Sequence, residues 1–113
     1  MYHFHANVFA HPFRCTWDEA AAALDSLPRM ILEPDGSWIW SGGEAHRRWQ
    51  IDGHLYDFED RLHRVELHGT CPPEMFDKLL RCIGWPVTQL SFELVREGRQ
   101  LGESGFREAV SRS

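Results

Sequence analysis

The sequence predicts an α+β fold, in which an antiparallel sheet of about six to seven strands carries two helices on one face. Three features lead to this prediction. Residues 47–69 alternate between apolar and polar side chains around two turn signals, which is typical of a three-stranded meander. Two further segments repeat apolar residues at helical spacing, and each follows a strand-like segment. Such units on either side of a meander favour a ferredoxin-like arrangement or an elaborated arrangement of two βαβ units.

The length and composition are those of one ordinary globular domain. The chain has 113 residues, of which 42% are hydrophobic and 26% are charged, and a chain of this size buries one modest core. We assign residues 1–97 to a single α+β domain. Residues 98–113 are polar, so we expect a C-terminal segment that forms either a short helix or a frayed tail.

Several classes of protein have no support in the sequence. No apolar run approaches the roughly 18 residues of a membrane span. The net charge is −5 and the basic residues are scattered, which argues against a nucleic-acid partner. The chain start lacks the features of a signal peptide, and three widely spaced cysteines do not resemble a disulfide framework. We therefore expect a cytoplasmic protein with reduced thiols that binds neither membrane nor nucleic acid.

The first 28 residues predict a strand followed by a helix. Residues 2–10 alternate, as a strand does, with His3 and His5 on one face. Thr16 and Glu19 have the spacing of a capping box, so we expect the helix to begin at Thr16. Its apolar stripe comprises Trp17, Ala20, Ala21, Leu24 and Leu27, and Pro28 ends it.

The centre of the chain predicts antiparallel strands. Residues 30–41 form a hairpin around residues 34–36, and residues 47–69 turn at Asp52-Gly53 and again near Asp60. These turns place Trp49, Ile51, Tyr56, Phe58, Val65 and Leu67 on the buried face. The opposite, solvent-exposed face then carries a cross-strand charge ladder of Arg48, Asp57 and Arg64.

A second helix is expected to begin at Pro72-Pro73, because proline in a first turn loses no needed hydrogen bond. Its buried stripe comprises Phe76, Leu79, Leu80 and Ile83, and Gly84 ends it. Residues 87–95 alternate and predict the last strand.

Two tryptophans suggest a binding face. Alternation places Trp38 and Trp40 opposite Ile39. If Ile39 faces the helices, both rings lie on the open side of the sheet, with Ile31 beside them. Such an apolar patch is typical of an interface, although the C-terminal segment, through Phe106, is an alternative cover for it.

Histidine and cysteine pairs suggest a metal site. If the first strand and the strand before the second helix are parallel neighbours, their following loops meet at one end of the sheet. Those loops carry His11 with Cys15 and His68 with Cys71, a Cys2His2 set of the kind that zinc binds. The alternative is that these residues are structural. Cys71 has a second interpretation as a helix-start nucleophile with His68 as its base.

Three hypotheses about function follow. The first is a non-catalytic binding or self-assembly module that uses Ile31, Trp38 and Trp40 on the open sheet face, as a homodimer or with a protein partner. The second is a zinc-binding protein or metalloenzyme with His11, Cys15, His68 and Cys71 as ligands. The third is a small-ligand domain with a pocket between sheet and helices. Phosphate-loop, serine-hydrolase and zinc-protease motifs are absent from the sequence, so we assign no catalytic residue and no other cofactor.

Overall fold

The computed structural model describes residues 1–111, which form one seven-stranded sheet and three helices. The strands are β1 (Tyr2–Ala10), β2 (Met30–Leu32), β3 (Ser37–Gly42), β4 (Trp49–Phe58), β5 (Arg61–Cys71), β6 (Leu90–Leu94) and β7 (Arg99–Gly102). The helices are α1 (Trp17–Asp25), α2 (Pro73–Arg81) and α3 (Glu103–Ser111). Within residues 1–111, no helix combines the length and apolar character needed to cross a membrane.

Every neighbouring pair of strands in the sheet is antiparallel. The spatial order is β2-β3-β4-β5-β1-β6-β7, so the longest strands lie in the middle and the two shortest form the edges. Short edge strands limit pairing between the edges of separate molecules. The predicted antiparallel α+β class is confirmed. The parallel pairing of β1 with β5, which the metal hypothesis required, is wrong.

The predicted helix starts are confirmed. At α1, the Thr16 hydroxyl accepts a hydrogen bond from the Glu19 N–H at 3.0 Å, and the Glu19 carboxylate accepts one from the Thr16 N–H at 2.9 Å. This capping box satisfies two backbone donors that have no partner inside the helix. At α2, Pro73 occupies the first turn and no side chain caps the helix.

One face of the sheet and all three helices contribute to a single core. Phe76 of α2 lies 5.5 Å from Tyr2 and 5.3 Å from Phe4, measured between ring centroids. Phe106 of α3 stacks on Phe92 of β6 at 4.3 Å. The buried side chains of α1, Ala20, Ala21 and Leu24, belong to the same cluster.

The expected turn at Asp52-Gly53 is wrong. Both residues lie inside β4, where Gly53 pairs with Trp38 of β3. A β-carbon on Gly53 would overlap the Trp38 ring, so this glycine provides space for an indole across the strands. A glycine within an alternating sequence indicates either a turn or a close contact with another side chain. At Gly53 it is a close contact with Trp38.

The missing turn changes which side chains of β4 are buried. Alternation continues from Ile51 through Gly53 to Leu55, which is buried, whereas Tyr56 is half-buried on the other face and Phe58 is 66% exposed. The chain does reverse at Glu59-Asp60, where both residues have positive φ. The predicted ladder is absent, because Arg48 lies before β4 and Arg64 pairs across from Tyr56.

The tryptophans lie on the opposite face from the predicted one. Trp38 and Trp40 are each 2% exposed in the core, whereas Ile31 and Ile39 are 59% and 42% exposed. The indole of Trp40 donates a hydrogen bond to the Pro28 carbonyl at 2.9 Å. The prediction that Ile39 faces the helices is therefore wrong, because burying two indoles removes more apolar area from water than burying one isoleucine.

Residues 99–111 are integrated into the fold. They add β7 to the edge of the sheet and α3 to the core, where Phe106 and Val110 are buried. Arg107 forms ion pairs with Asp77 of α2 at 2.7 Å and with Glu103 at 2.9 Å. The short helix that was one of two expectations for this segment is present.

Candidate functional site

The side of the sheet opposite the core, which we call the open face, carries the main cluster of polar side chains. Strand register aligns these side chains in rows that run across the strands, and none of the side chains in the two central rows is buried. The first row contains Ile31, Ile39, Asp52, His68, His5 and Val95. The second contains Ser37, His54, Glu66, Asn7, Glu93 and Gln100.

A carboxylate lies at the centre of this face. Glu66 contacts His5 Nε2 through Oε2 at 3.1 Å and accepts a hydrogen bond from the Tyr56 hydroxyl through Oε1 at 3.2 Å. The hydrogen bond from His5 is the main cause that holds the pKa of Glu66 below its ordinary value. The Tyr56 hydroxyl acts in the same direction, while desolvation opposes it. Glu66 therefore remains an anion that three adjacent strands share.

Arg64 extends the network towards β6. Its guanidinium carbon lies 3.7 Å from the centroid of the Tyr56 ring, and its Nη1 donates to Asn7 Oδ1 at 3.0 Å. Asn7 in turn donates through Nδ2 to Glu93 at 3.0 Å. These contacts fix the side chains before any partner arrives, which lowers the entropy lost when one binds.

Two histidines stack at the middle of the first row. The rings of His5 and His68 lie 4.2 Å apart with an interplanar angle of 15°, and His68 pairs across the strands with Asp52. His54 similarly stacks on Tyr56 at 4.3 Å. Imidazole, carboxylate and phenol groups can exchange protons and hydrogen bonds with a bound molecule. A nucleophilic thiol is absent from the two central rows.

A notch in the outline of the sheet adjoins this face. It has a volume of about 640 Å³ and lies where β6 ends while β1 continues to Tyr2. Its lining comprises His3, Phe4, His5, His68, Gly69, Thr70, Leu94, Arg96, Glu97, Arg99, Ala109 and Val110.

The structure does not bring the four predicted zinc ligands together. Because β1 and β5 are antiparallel, His11 and Cys15 follow one end of β1, while Cys71 pairs with Tyr2 at the other end. Strand length alone separates these ends by roughly 25 Å. Within residues 1–111, no group of three or more histidine, cysteine, aspartate or glutamate side chains has the arrangement needed to hold a metal ion.

The thiol hypothesis also fails on geometry. Cys71 is fully buried on the core face, whereas His68 is exposed on the open face. Burial raises the pKa of Cys71 to about 12, so the side chain remains a thiol at neutral pH. Cys71 lies just before the N-terminus of α2, where the helix dipole favours a thiolate, but this location does not offset the effect of desolvation on the pKa of Cys71.

Alternation in the sequence places His5 on a polar strand face but does not connect it to Glu66. The connection depends on the pairing of β5 with β1, and β1 is separated in the chain from β4 and β5 by α1 and by the hairpin of β2 and β3. The available signal was the His3-x-His5 alternation opposite an apolar face. It identifies a polar face, but not the partners of each side chain.

No protein-family model matches the chain, and comparison with curated proteins and with solved structures gives no significant match. The candidate site therefore rests on its geometry.

Proposed function

We propose that this protein is a non-catalytic binding module that associates with a second copy of itself through the open face. The observation that carries the proposal is the ordered network around Glu66, which lies on a broad sheet surface where no side chain of the two central rows is buried. The first sequence hypothesis also used the open sheet face and Ile31, but the residues beside Ile31 differ, because Ile39 is exposed there and Trp38 and Trp40 are buried.

The size of the face supports a protein partner. Seven strands about 4.8 Å apart span roughly 29 Å, and with a mean strand length near 20 Å the face covers about 600 Å² in projection. Side-chain relief increases the accessible area towards the roughly 800 Å² that each partner buries in a standard interface. Small-molecule sites are more concave and more apolar.

The chemistry of the face supports a second copy. Carboxylates of Asp52, Glu66 and Glu93 lie among imidazoles and the guanidinium of Arg64, so both signs of charge are interspersed. A mixed surface can oppose itself across a two-fold axis with less repulsion than a surface of one sign. The first row also has apolar residues at both ends, Ile31 with Ile39 and Val95, which supply area that a dimer can bury.

We also propose a cytoplasmic location. The three cysteines are all free thiols, at positions 15, 71 and 82. Free thiols suit a reducing compartment.

Sedimentation analysis across a concentration series tests the association. We expect the native protein to dimerise with a dissociation constant between about 1 μM and 1 mM. Replacing Ile39, which is 42% exposed, by glutamate should weaken the dimer at least about tenfold, because the new carboxylate loses water in the interface.

The matched control is Val87→Glu. Val87 is 76% exposed and lies outside the sheet, so this variant should dimerise like the native protein. The proposal would be contradicted if the native protein remained a monomer at about 1 mM. It would also be contradicted if Ile39→Glu left the dissociation constant of the dimer unchanged. A stable complex with a different protein through the same face would also replace the second copy as the partner.

A further inference from the structure

The notch is open because two neighbouring strands differ in length. Leu94, the last residue of β6, pairs with Ala6, and the Val95 N–H donates to the His5 carbonyl at 3.0 Å. Alternate residues of a strand direct their backbone groups to the same side. The N–H and carbonyl of His3 therefore point towards the space beyond the end of β6.

The charge of the notch is opposite in sign to that of the whole chain. The chain has a net charge of −5, yet among residues 1–111 the ionisable groups that line the notch are two guanidiniums, three imidazoles and one carboxylate. They come from β1 (His3, His5), β5 (His68), the turn after β6 (Arg96, Glu97) and β7 (Arg99).

The two arginines of the notch are available for a ligand. Within residues 1–111, the Arg96 and Arg99 side chains make no hydrogen bond, ion pair or ring contact, in contrast to Arg107, which has two ion pairs. A guanidinium offers a planar set of donors that matches a carboxylate or a phosphate. His5, by contrast, is held by Glu66 and gives the notch a fixed wall.

The other wall of the notch is apolar. Phe4 and Val110 are 7% and 3% exposed, and half-buried Leu94 lies beside them. A volume of about 640 Å³ falls within the range of small-molecule sites. The notch therefore combines oxyanion donors at its rim with space for an apolar group at its base.

We propose that the notch binds a small organic oxyanion, a carboxylate or a phosphate monoester, whose apolar part packs against Phe4, Leu94 and Val110. Arg96 and Arg99 bind the oxyanion, and the N–H of His3, which points towards the notch, is a further donor. Both arginines lie outside the rows of the open face, whereas His5 and His68 line the notch and also belong to the first row.

Titrations followed by amide NMR spectra test this proposal with three probes: inorganic phosphate, phenyl phosphate and benzoate. We expect phenyl phosphate to bind about tenfold more tightly than inorganic phosphate, since only the former fills the apolar part of the notch. The amides of His3, Arg96 and Arg99 should shift most. Comparison of phenyl phosphate with benzoate identifies which oxyanion the rim prefers.

The variant Arg96→Gln/Arg99→Gln should weaken binding of the better aromatic probe at least about tenfold. Arg14→Gln/Arg47→Gln is the matched control, because it removes the same charge from two exposed arginines outside the notch. Absence of binding by all three probes at about 10 mM would overturn the proposal. Equal binding by the two double variants, or equal affinity for phenyl phosphate and inorganic phosphate, would do so as well.

Discussion

At the scale of single residues, glycine and tryptophan are matched across strands. Gly53 lies against the Trp38 ring and Gly42 against the Trp49 ring, and each pair is in register on neighbouring strands. A glycine removes the β-carbon that an indole would otherwise meet. The sheet can therefore bury three tryptophans, Trp38, Trp40 and Trp49, on the core face of two strands. Composition alone shows many tryptophans and glycines, but not this pairing.

Replacing Gly53 by alanine should destabilise the protein by about 2–4 kcal/mol, because the added methyl group displaces the Trp38 ring from a packed core. Urea unfolding followed by tryptophan fluorescence measures the change. Gly102→Ala is the matched control, since no atom beyond Gly102 and its two chain neighbours lies within 4 Å of the added carbon, and it should change stability by less than about 1 kcal/mol. Similar losses in the two variants would contradict this account of Gly53.

At the scale of elements, local signals predicted the helices better than the strands. The Thr16–Glu19 capping box and the prolines before α2 act within a few residues, so the sequence shows them directly. Asp52-Gly53 is also a local turn signal, but its outcome depends on Trp38, which belongs to another strand. The predicted zinc ligands lie apart for the same reason. The relative direction of β1 and β5 decides whether Cys15 approaches Cys71, and residues near either cysteine do not encode that direction.

The network around Glu66 joins β1, β4 and β5, and its contribution should depend on pH. The folded-state pKa of Glu66 lies below its ordinary value, so its stabilisation is present above the unfolded-state pKa and disappears as pH falls through the folded-state pKa. Glu66→Gln should therefore destabilise the protein at pH 7, by less than about 1 kcal/mol because the side chain is 35% exposed. The difference from the native protein should shrink below about pH 4.

Urea unfolding at both pH values measures that difference. Glu44→Gln is the control, because Glu44 is exposed in the loop before β4 and should give no pH-dependent difference. If Glu66→Gln destabilises the protein equally at both pH values, the hydrogen bonds to the Glu66 carboxylate are not the source of the effect.

At the scale of the whole molecule, the first and last thirds of the chain share one core. β1 lies between β5 and β6, so the N-terminal strand receives partners from the middle and the end of the sequence. Phe4 contacts both Phe76 of α2 and Phe106 of α3. Apolar periodicity in the sequence indicated the composition of this core. Phe106 was expected only as an alternative cover for Trp38 and Trp40, whereas it packs on Phe4, Phe76 and Phe92.

A chain ending at residue 97 should therefore not fold. Loss of the segment after residue 97 would expose Phe92, which is fully buried under Phe106, and would remove the Arg107 ion pair with Asp77.

The point variant Phe106→Ala should lower the free energy of unfolding by about 3–5 kcal/mol through the cavity it leaves. Val87→Ala, at a side chain 76% exposed, should lower it by less than about 0.5 kcal/mol. Circular dichroism and amide NMR spectra of the truncated chain, with urea unfolding of the variants, measure these effects. A truncated chain with dispersed amide signals would show that residues 1–97 are a domain by themselves, and that β7 and α3 only cover a core that is already stable.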